Sequence, residues 1–210
     1  GQGLFVKVAQ VVAEVFQVDV TRVKITATTT GKVPNTSATA ASSGSDLNGM
    51  AARDAALKIK ARLAQHLART HQVPPSSISF VPNRVRVGDR EIAFDEAVAS
   101  AYRARVSLSA TGFYATPKLH WDDATRTGRP FYYFAYGAAV TEVAIDTLTG
   151  ESRVLRADIL HDCGKSLNPA IDLGQIEGGF VQGMGWLTME ELVWDDAGRL
   201  RTHAPSTYKI

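Results

Sequence analysis

Residues 33–50 are the stretch of the chain whose residue types best suit a bound ligand. They read Val-Pro-Asn-Thr-Ser-Ala-Thr-Ala-Ala-Ser-Ser-Gly-Ser-Asp-Leu-Asn-Gly-Met, and most of them are Ala, Ser, Thr or Gly. Such small residues let another body approach the backbone closely. The helix predicted to follow begins with N–H groups that have no partner within it and with the positive end of its dipole. The stretch is therefore a candidate anion site, and a loop that only caps the helix is the alternative.

Two glutamines in glycine-rich settings are further candidate ligand contacts. Gln2 lies between Gly1 and Gly3 just before a predicted helix, and Gln175 follows Gly174 and precedes Ile-Glu-Gly-Gly. An amide side chain both donates and accepts hydrogen bonds, which suits a heteroaromatic or metal-oxo ligand of mixed polarity. An ordinary surface glutamine is the alternative at both positions.

His161-Asp162-Cys163 is the other group of chemically capable side chains. It has the residue types of a nucleophile with a base or of two metal ligands, but neighbouring residues of a strand point to opposite faces, and no second ligand pair follows at metal spacing. We therefore interpret Cys163 as a buried structural thiol. It is the only cysteine, so the chain has no internal disulfide, and we expect a reducing, cytoplasmic location.

Two common phosphate-binding motifs and one hydrolase motif do not fit this sequence. Gly164-Lys165-Ser166 resembles the end of a P-loop, but the required glycine five positions earlier is Ile159. Gly1-Gln2-Gly3 is not a dinucleotide-binding fingerprint, because position 6 is Val6. A Gly-x-Ser-x-Gly nucleophile elbow is absent from the sequence.

Helical periodicity surrounds the small-residue stretch. Apolar residues at helical spacing run from Leu4 to Phe16 and again from Leu47 to Leu67, with a predicted N-cap among residues 42–46. Asp95 is predicted to cap a short helix through Tyr102. Asn168-Pro169 is typical of an N-cap followed by a proline at the first helical position. The glycines of residues 174–185 predict that something packs closely against that last helix, because glycine disfavours helix interiors.

The predicted strands give the fold class. They cover residues 23–28, 105–114, 131–146 and 151–160, short strands within 70–92, and a final hairpin of 190–194 with 199–202. Tight turns are predicted at Gly88-Asp89 and Thr149-Gly150. The aromatic residues of 131–136 are interpreted as a strand in a core. The order of elements predicts an α+β fold, with helices packed on mainly antiparallel or mixed sheets.

The composition narrows the functional classes. The 210 residues are 45% apolar and 21% charged, with a net charge of +2 and no basic run. These values predict a soluble globular protein without a nucleic-acid or membrane partner, and neither a membrane span nor a signal peptide is predicted. The absence of an initial methionine and of polar tails leads us to expect an internal piece of a longer protein.

Five segments together resemble a known enzyme family. They are Gly-Gln-Gly-Leu at 1–4, Val-Pro-Asn-Thr-Ser-Ala-Thr-Ala-Ala-Ser at 33–42, Ser-Ala-Thr-Gly-Phe-Tyr at 109–114, Ser-Leu-Asn-Pro-Ala-Ile-Asp-Leu-Gly-Gln-Ile-Glu-Gly at 166–178 and Pro-Ser-Thr-Tyr-Lys-Ile at 205–210. On these segments the chain resembles the molybdopterin-binding region of the xanthine dehydrogenases, which are molybdenum hydroxylases, and most of all the large subunit of the bacterial two-subunit type. The resemblance is weakest around residues 65–103.

The resemblance implies purine hydroxylation at a molybdenum–molybdopterin centre. Electrons would pass through 2Fe-2S clusters and FAD, carried by a partner small subunit, to NAD. The cofactor contacts that it implies are Gly1, Gln2, Gly3, Thr39, Ala40, Ala41 and Ser42 at the pterin and Gln175 near the metal. It divides the chain into a first cofactor segment at about 1–69, a variable insert at 70–104 and a second segment at 105–210.

The resemblance also implies what this chain lacks. The family's general base is a glutamate in a Val-Gly-Glu-Pro-Pro segment, which is absent here and expected beyond Ile210, and the residues that grip the purine are expected before Gly1. We therefore expect no catalytic residue and no metal ligand in the chain, no cofactor on the isolated fragment, no activity alone and non-native self-association. An aldehyde or other heteroaromatic hydroxylase and a non-catalytic anion- or partner-binding module are the alternatives.

Overall fold

The chain folds into two compact units. The computed structural model describes residues 2–29, 31 and 42–208. The first unit is Gly3–Tyr132, and the second comprises Tyr133–Ile210 together with Gln2. Helices and antiparallel sheets occur along the described chain, which confirms the α+β prediction. The finer division at residues 69 and 104 stays a prediction.

Two packed helices begin the first unit. α1 spans Leu4–Phe16 and α2 spans Gly44–Thr70, which confirms the two helices predicted from the spacing of apolar residues. A 3₁₀ turn at Val20–Arg22 follows α1. Lys60 of α2 donates a hydrogen bond of 2.6 Å to the carbonyl of Val15, one of the last carbonyls of α1. Because those carbonyls have no partner within the helix, this bond satisfies one of them and fixes α2 against α1.

A three-stranded antiparallel meander and a third helix complete the core of this unit. The elements are β1 (Ile78–Val81), β2 (Arg84–Val87), β3 (Arg90–Ala93) and α3 (Phe94–Arg103). Two-residue turns at Pro82-Asn83 and Gly88-Asp89 join the strands, and Asn83 and Gly88 both have positive φ angles. The predicted turn at Gly88-Asp89 is confirmed.

The core of the first unit lies between α2, the meander and α3. Leu67, Val85 and Ala97 are fully buried there. The rings of Phe16, Phe80 and Phe94 form a cluster with centroids 5.8–6.4 Å apart. Full burial of such a side chain contributes on the order of 1.5–3 kcal/mol. These three rings are half-buried, so each contributes part of that amount to the stability of the unit.

The second unit contains a long hairpin and a long helix. Strands β6 (Gly137–Ile145) and β7 (Ser152–His161) pair antiparallel, and the predicted turn at Thr149-Gly150 connects them. The helix α4 spans Pro169–Thr188. The side chain of Asn168 accepts a 3.2 Å hydrogen bond from the N–H of Ile171, so the predicted cap is confirmed.

Several predicted strands and one predicted cap are wrong. Residues 23–28, 105–114 and 131–136 form no strand, and 190–194 with 199–202 make only one bridge, between Trp194 and Leu200. Residues 105–114 are held by side chains of α2 rather than by a neighbouring strand. Ala93, not Asp95, is the N-cap of α3, and Asp95 instead forms an ion pair with Arg22. The short hairpin of β4 (His120–Asp122) and β5 (Thr127–Arg129) was not predicted.

The predictions of burial after residue 130 also differ from the structure. The aromatic side chains of residues 131–136 are exposed rather than in a core, and Cys163 is exposed rather than buried. Glu190 accepts a hydrogen bond from the hydroxyl of Tyr208, and this bond raises the pKa of that hydroxyl. The expected close packing occurs at Gly185, where a Cβ would lie 2.4 Å from the Oε1 of Glu190. At Gly174, Gly178, Gly179 and Gly183 no described atom outside the local helix lies within 4 Å of such a Cβ.

Candidate functional site

The predicted site residues are distributed over the starts of α1 and α2 and the second turn of α4. Gly1, Thr39, Ala40 and Ala41 lie outside the described residues. Gly3 and Ser42 belong to the first unit, whereas Gln2 groups with the second unit, which contains Gln175. The structure therefore describes half of the predicted set: Gln2, Gly3, Ser42 and Gln175.

The start of α1 presents hydrogen-bond donors without a capping side chain. Gly3 is the N-cap and has φ 65°, a left-handed conformation that favours glycine. Among the residues that the structure describes, no side chain caps the helix there, and its first turn contains no acidic residue. The N–H groups of that turn and the positive end of the dipole favour an anionic or hydrogen-bond-accepting group. Gln2 is exposed immediately before them.

The start of α2 has a similar form with a different charge balance. Ser42 is exposed and has φ 54°, and it leads into the N-cap Ser43, whose side chain does not cap the helix. Asp46 lies in the first turn of α2 and partly offsets the positive end of the dipole. Of the two helix starts, α1 is therefore better suited to an anionic group.

Gln175 lies on α4 with open space beside it. Its side chain is exposed, and Gly174 and Gly178 leave the neighbouring backbone accessible. The cap at Asn168 and Pro169 at the first helical position fix where this helix begins. The amide of Gln175 can therefore reach a group that lies against this face of α4.

Residues 107–113, which we call the strap, lie along α2. Arg62 donates to the carbonyls of Ser107 and Ser109 at 3.1 and 2.8 Å. Lys58 donates to the carbonyl of Thr111 at 3.1 Å. These bonds satisfy three carbonyls of the strap and fix it on α2, and residues 107–113 form no strand.

An aspartate and a glycine fix the far end of the strap. Asp54 accepts a 3.1 Å hydrogen bond from the N–H of Phe113, and its carboxylate lies 2.7 Å from the ammonium of Lys58. The hydrogen bonds from Lys58 and Phe113 lower the pKa of Asp54. A Cβ on Gly112 would lie 1.9 Å from the carbonyl oxygen of Ala51, so only glycine fits there.

Sequence reasoning missed the strap as a positioning element. The signal that indicates it is the spacing of Asp54, Lys58 and Arg62, which recur every four residues and so share one face of α2. A charged face of this kind is usually solvated, and the periodicity by itself gives no reason to expect a chain segment upon it.

The described candidate residues offer hydrogen-bond donors rather than metal ligands. These donors are backbone N–H groups, amide side chains and a hydroxyl, which fit a large hydrogen-bond-accepting group such as a phosphorylated heterocycle. Among residues 2–29, 31 and 42–208, no three His, Cys, Asp or Glu side chains come together as a metal site. Within the same part of the chain, no helix is long and apolar enough to cross a membrane.

Comparison with curated proteins shows relatives along the full chain. It is 47% identical over 210 residues to xanthine dehydrogenase/oxidase of Mus musculus and 46% identical over 213 residues to xanthine dehydrogenase of Dictyostelium discoideum. All of the chain is covered in both comparisons, but only 14% of each relative. The chain therefore corresponds to a small part of those proteins.

Solved structures show the same relationship. Quinoline 2-oxidoreductase from Pseudomonas putida 86 matches with a TM-score of 0.80 and 29% identity, over 100% of this chain and 26% of that one. A Cu,Mo-CO dehydrogenase has the same fold, with a TM-score of 0.76 at 23% identity over 100% of this chain and 26% of that one. The family described as the molybdopterin cofactor-binding domain matches residues 1–210. These matches confirm the resemblance, and the chain belongs to the molybdopterin cofactor-binding domain family.

Proposed function

We propose that this chain is part of the molybdenum-binding large subunit of a purine hydroxylase that oxidises hypoxanthine and xanthine to urate. The observation that carries this proposal is the identity of 47% and 46%, over the whole chain, to proteins named for xanthine. Because the chain spans only 14% of those relatives, the activity belongs to the longer protein and not to these residues alone.

In this proposal the described residues hold and orient molybdopterin, together with Gly1, Thr39, Ala40 and Ala41. Gln2 and the first-turn N–H groups of α1 donate to the pterin and its phosphate, and Gly3 lets the cofactor approach the backbone. Ser42 contributes a hydroxyl before α2. Gln175 places its amide near the metal. The bound cofactor supplies the redox chemistry, and the protein supplies position and electrostatics.

The other parts of the reaction lie outside this chain. We assign the general base and the purine-gripping residues to the remainder of the large subunit. The 2Fe-2S clusters and FAD belong to a small subunit that passes electrons to NAD. The single cysteine of the chain is consistent with the reducing cytoplasm in which we place the enzyme.

A hydroxylase acting on another heteroaromatic ring, or on an aldehyde, is the second candidate. Quinoline 2-oxidoreductase supports this alternative, because its structure matches over all of this chain at 29% identity. The same cofactor residues would serve either substrate, since substrate choice rests with residues outside the chain. The substrate is therefore tested on the complete enzyme, by comparing turnover of xanthine, quinoline and an aldehyde.

Molybdenum content of the complete enzyme tests the cofactor assignment. We expect about one molybdenum per large subunit in a host that makes the cofactor, and loss of most of it when Gln2→Ala and Gln175→Ala are combined. Gln65→Ala is the control, because Gln65 is an exposed glutamine of α2 outside the site. A folded wild-type enzyme without molybdenum would contradict the proposal and favour a non-catalytic binding module. Equal loss in the Gln65→Ala control would contradict the assigned residues.

A further inference from the structure

The hairpin of β6 and β7 is a two-stranded sheet in the described chain. An isolated two-stranded hairpin is only marginally stable in water, and a third strand or a packed helix is needed for independent stability. β6 is nevertheless nine residues long and β7 ten. Hairpin strands of this length predict a further partner at one of their two free edges.

One face of the hairpin is apolar and open to solvent. The odd-numbered residues of β6 share this face, and Val143 and Ile145 are 52% and 62% exposed there. The opposite face is mixed, because Glu142 lies opposite Arg156 there, beside Val140 and Leu160, which are 70% and 76% exposed. A strand that joins this sheet therefore has to continue the apolar side chains of the odd-numbered face.

The two edges differ in how they resist pairing. The register of β7 shifts opposite Glu142/Val143, so Leu155 is an extra residue that bulges the strand. β7 also carries Arg153, Arg156 and Asp158, whereas Glu142 is the only charged residue of β6. Bulges and charged side chains protect an edge against pairing, so the regular and nearly uncharged edge of β6 is the receptive one.

The hydrogen bonds at the hairpin ends show which backbone groups line that edge. Asp162 donates to the carbonyl of Tyr136 at 2.8 Å, and Asp146 donates to the carbonyl of Glu151 at 2.9 Å. Bonded and non-bonded pairs alternate along an antiparallel ladder. The backbone groups that point away from β7 are consequently those of Gly137, Ala139, Thr141, Val143 and Ile145.

We propose that the β6 edge receives an extended strand from another part of the same, longer polypeptide. This inference rests on the proposed function only in taking the chain as part of a longer enzyme, which its 14% coverage of the relatives supports. The incoming strand carries alternating apolar residues, because every second side chain must continue the apolar face of Val143 and Ile145.

Residue-resolved hydrogen exchange on the complete enzyme tests the proposal. We expect the amides of Ala139, Thr141 and Val143 to exchange within about tenfold of their inward-pointing neighbours, because both sets are bonded. A free edge would instead make the outward amides faster by a hundredfold or more, and that alternation would overturn the proposal.

Substitution at position 141 supplies the matched variants. Thr141→Pro removes an outward donor without removing a β6–β7 bond, so we expect faster exchange at Ala139 and Val143 and unchanged exchange at Val140. Thr141→Val keeps the donor and is expected to match the wild type. Wild-type exchange at Ala139 and Val143 in the proline variant would overturn the proposal, and the wild-type pattern remains decisive if that variant does not fold.

The origin of the strand is tested by photo-crosslinking. A benzophenone side chain replacing Ala139 is expected to crosslink to a peptide of the same polypeptide, at a yield independent of protein concentration. Crosslinks to a second copy or to another subunit would overturn the assigned occupant. Because none of these measurements depends on molybdenum, a failure here is distinguishable from a failure of the cofactor assignment.

Discussion

At Gly112 the absence of a side chain allows the strap to lie directly on α2. The nearest atoms to a methyl group at this position would be backbone atoms of Ala51 and Ala55, which cannot rotate away as a side chain can. The hydrogen bonds from Arg62 and Lys58 hold the strap in this position. A single residue type therefore decides whether the segment can pack at all.

We expect Gly112→Ala to destabilise the chain by about 1–3 kcal/mol, because overpacking against backbone forces the strap away from α2. Chemical denaturation of the variant and the wild type measures this change. Gly31→Ala is the control, since no described atom lies within 4 Å of the position and the change there should be within about 0.5 kcal/mol. An unchanged unfolding midpoint for Gly112→Ala would show that the close packing is not maintained.

His66 provides a pH-dependent contribution at the same scale. It is only 8% exposed, and its Nε2 lies 2.9 Å from the Ser100 hydroxyl of α3. Burial, followed by the charges of Arg69 and His71, lowers the pKa of His66 below its ordinary value of 6.5. The unfolded state therefore binds a proton more readily than the folded state between the two pKa values.

The direction in which stability changes with pH follows from this difference in proton binding. The stability that neutral His66 contributes is fully present well above pH 6.5 and is lost as the pH falls from about 6.5 to the lower folded-state pKa. Denaturation at pH 5 to 8 measures this slope, and His66→Gln, which does not titrate, should flatten it. Equal slopes for the variant and the wild type would exclude His66 as the source.

At the scale of elements, a local sequence signal can specify where a helix starts, and packing decides which other segments contact that helix. α4 buries only Gly185 among its residues, so its cap matters more than its packing.

We expect Asn168→Ala to destabilise α4 by about 1 kcal/mol, because the N–H of Ile171 loses its acceptor. Faster hydrogen exchange of the α4 amides measures this loss. Asn168→Asp keeps an acceptor, so equal exchange in both variants would contradict the capping role.

At the scale of the whole molecule, our proposal assigns to this chain part of a cofactor site and not a complete substrate site. We expect the isolated 210-residue chain to hydroxylate xanthine no faster than the uncatalysed reaction, because the base and the purine-gripping residues are assigned elsewhere. Urate formation followed by absorbance provides the measurement, with the complete enzyme as the positive control. Turnover by the isolated chain would show that the catalytic residues lie within it.

The exposure of large apolar side chains is also a property of the whole molecule. Sequence reasoning assigned the aromatic residues of 131–136 to a core because apolar strands are normally covered. Phe131 and Phe134 are instead 60% and 64% exposed, as is Trp186 of α4 at 67%. Burial depends on which other segments are present, and residue type by itself does not supply that information.

The sequence by itself determined the helices, the tight turns, the cap of α4 and the family. These features depend on side-chain periodicity, on backbone preferences of single residues or on motifs read in order along the chain. Leu67, Asn168 and Gly88 each carried such a local signal. The expected contacts at Gln2, Ser42 and Gln175 come from matched motifs and stay predictions until cofactor binding is measured.

Only the tertiary structure decided which extended segments pair. Residues 105–114 have the composition of a strand, yet residues 107–113 lie as the strap on α2, where Lys58 and Arg62 donate to their carbonyls. Residues 190–194 and 199–202 make a single bridge instead of a ladder. Strand pairing depends on partners that are distant in the sequence, and a local pattern specifies that a segment can be extended without specifying what will bond to it.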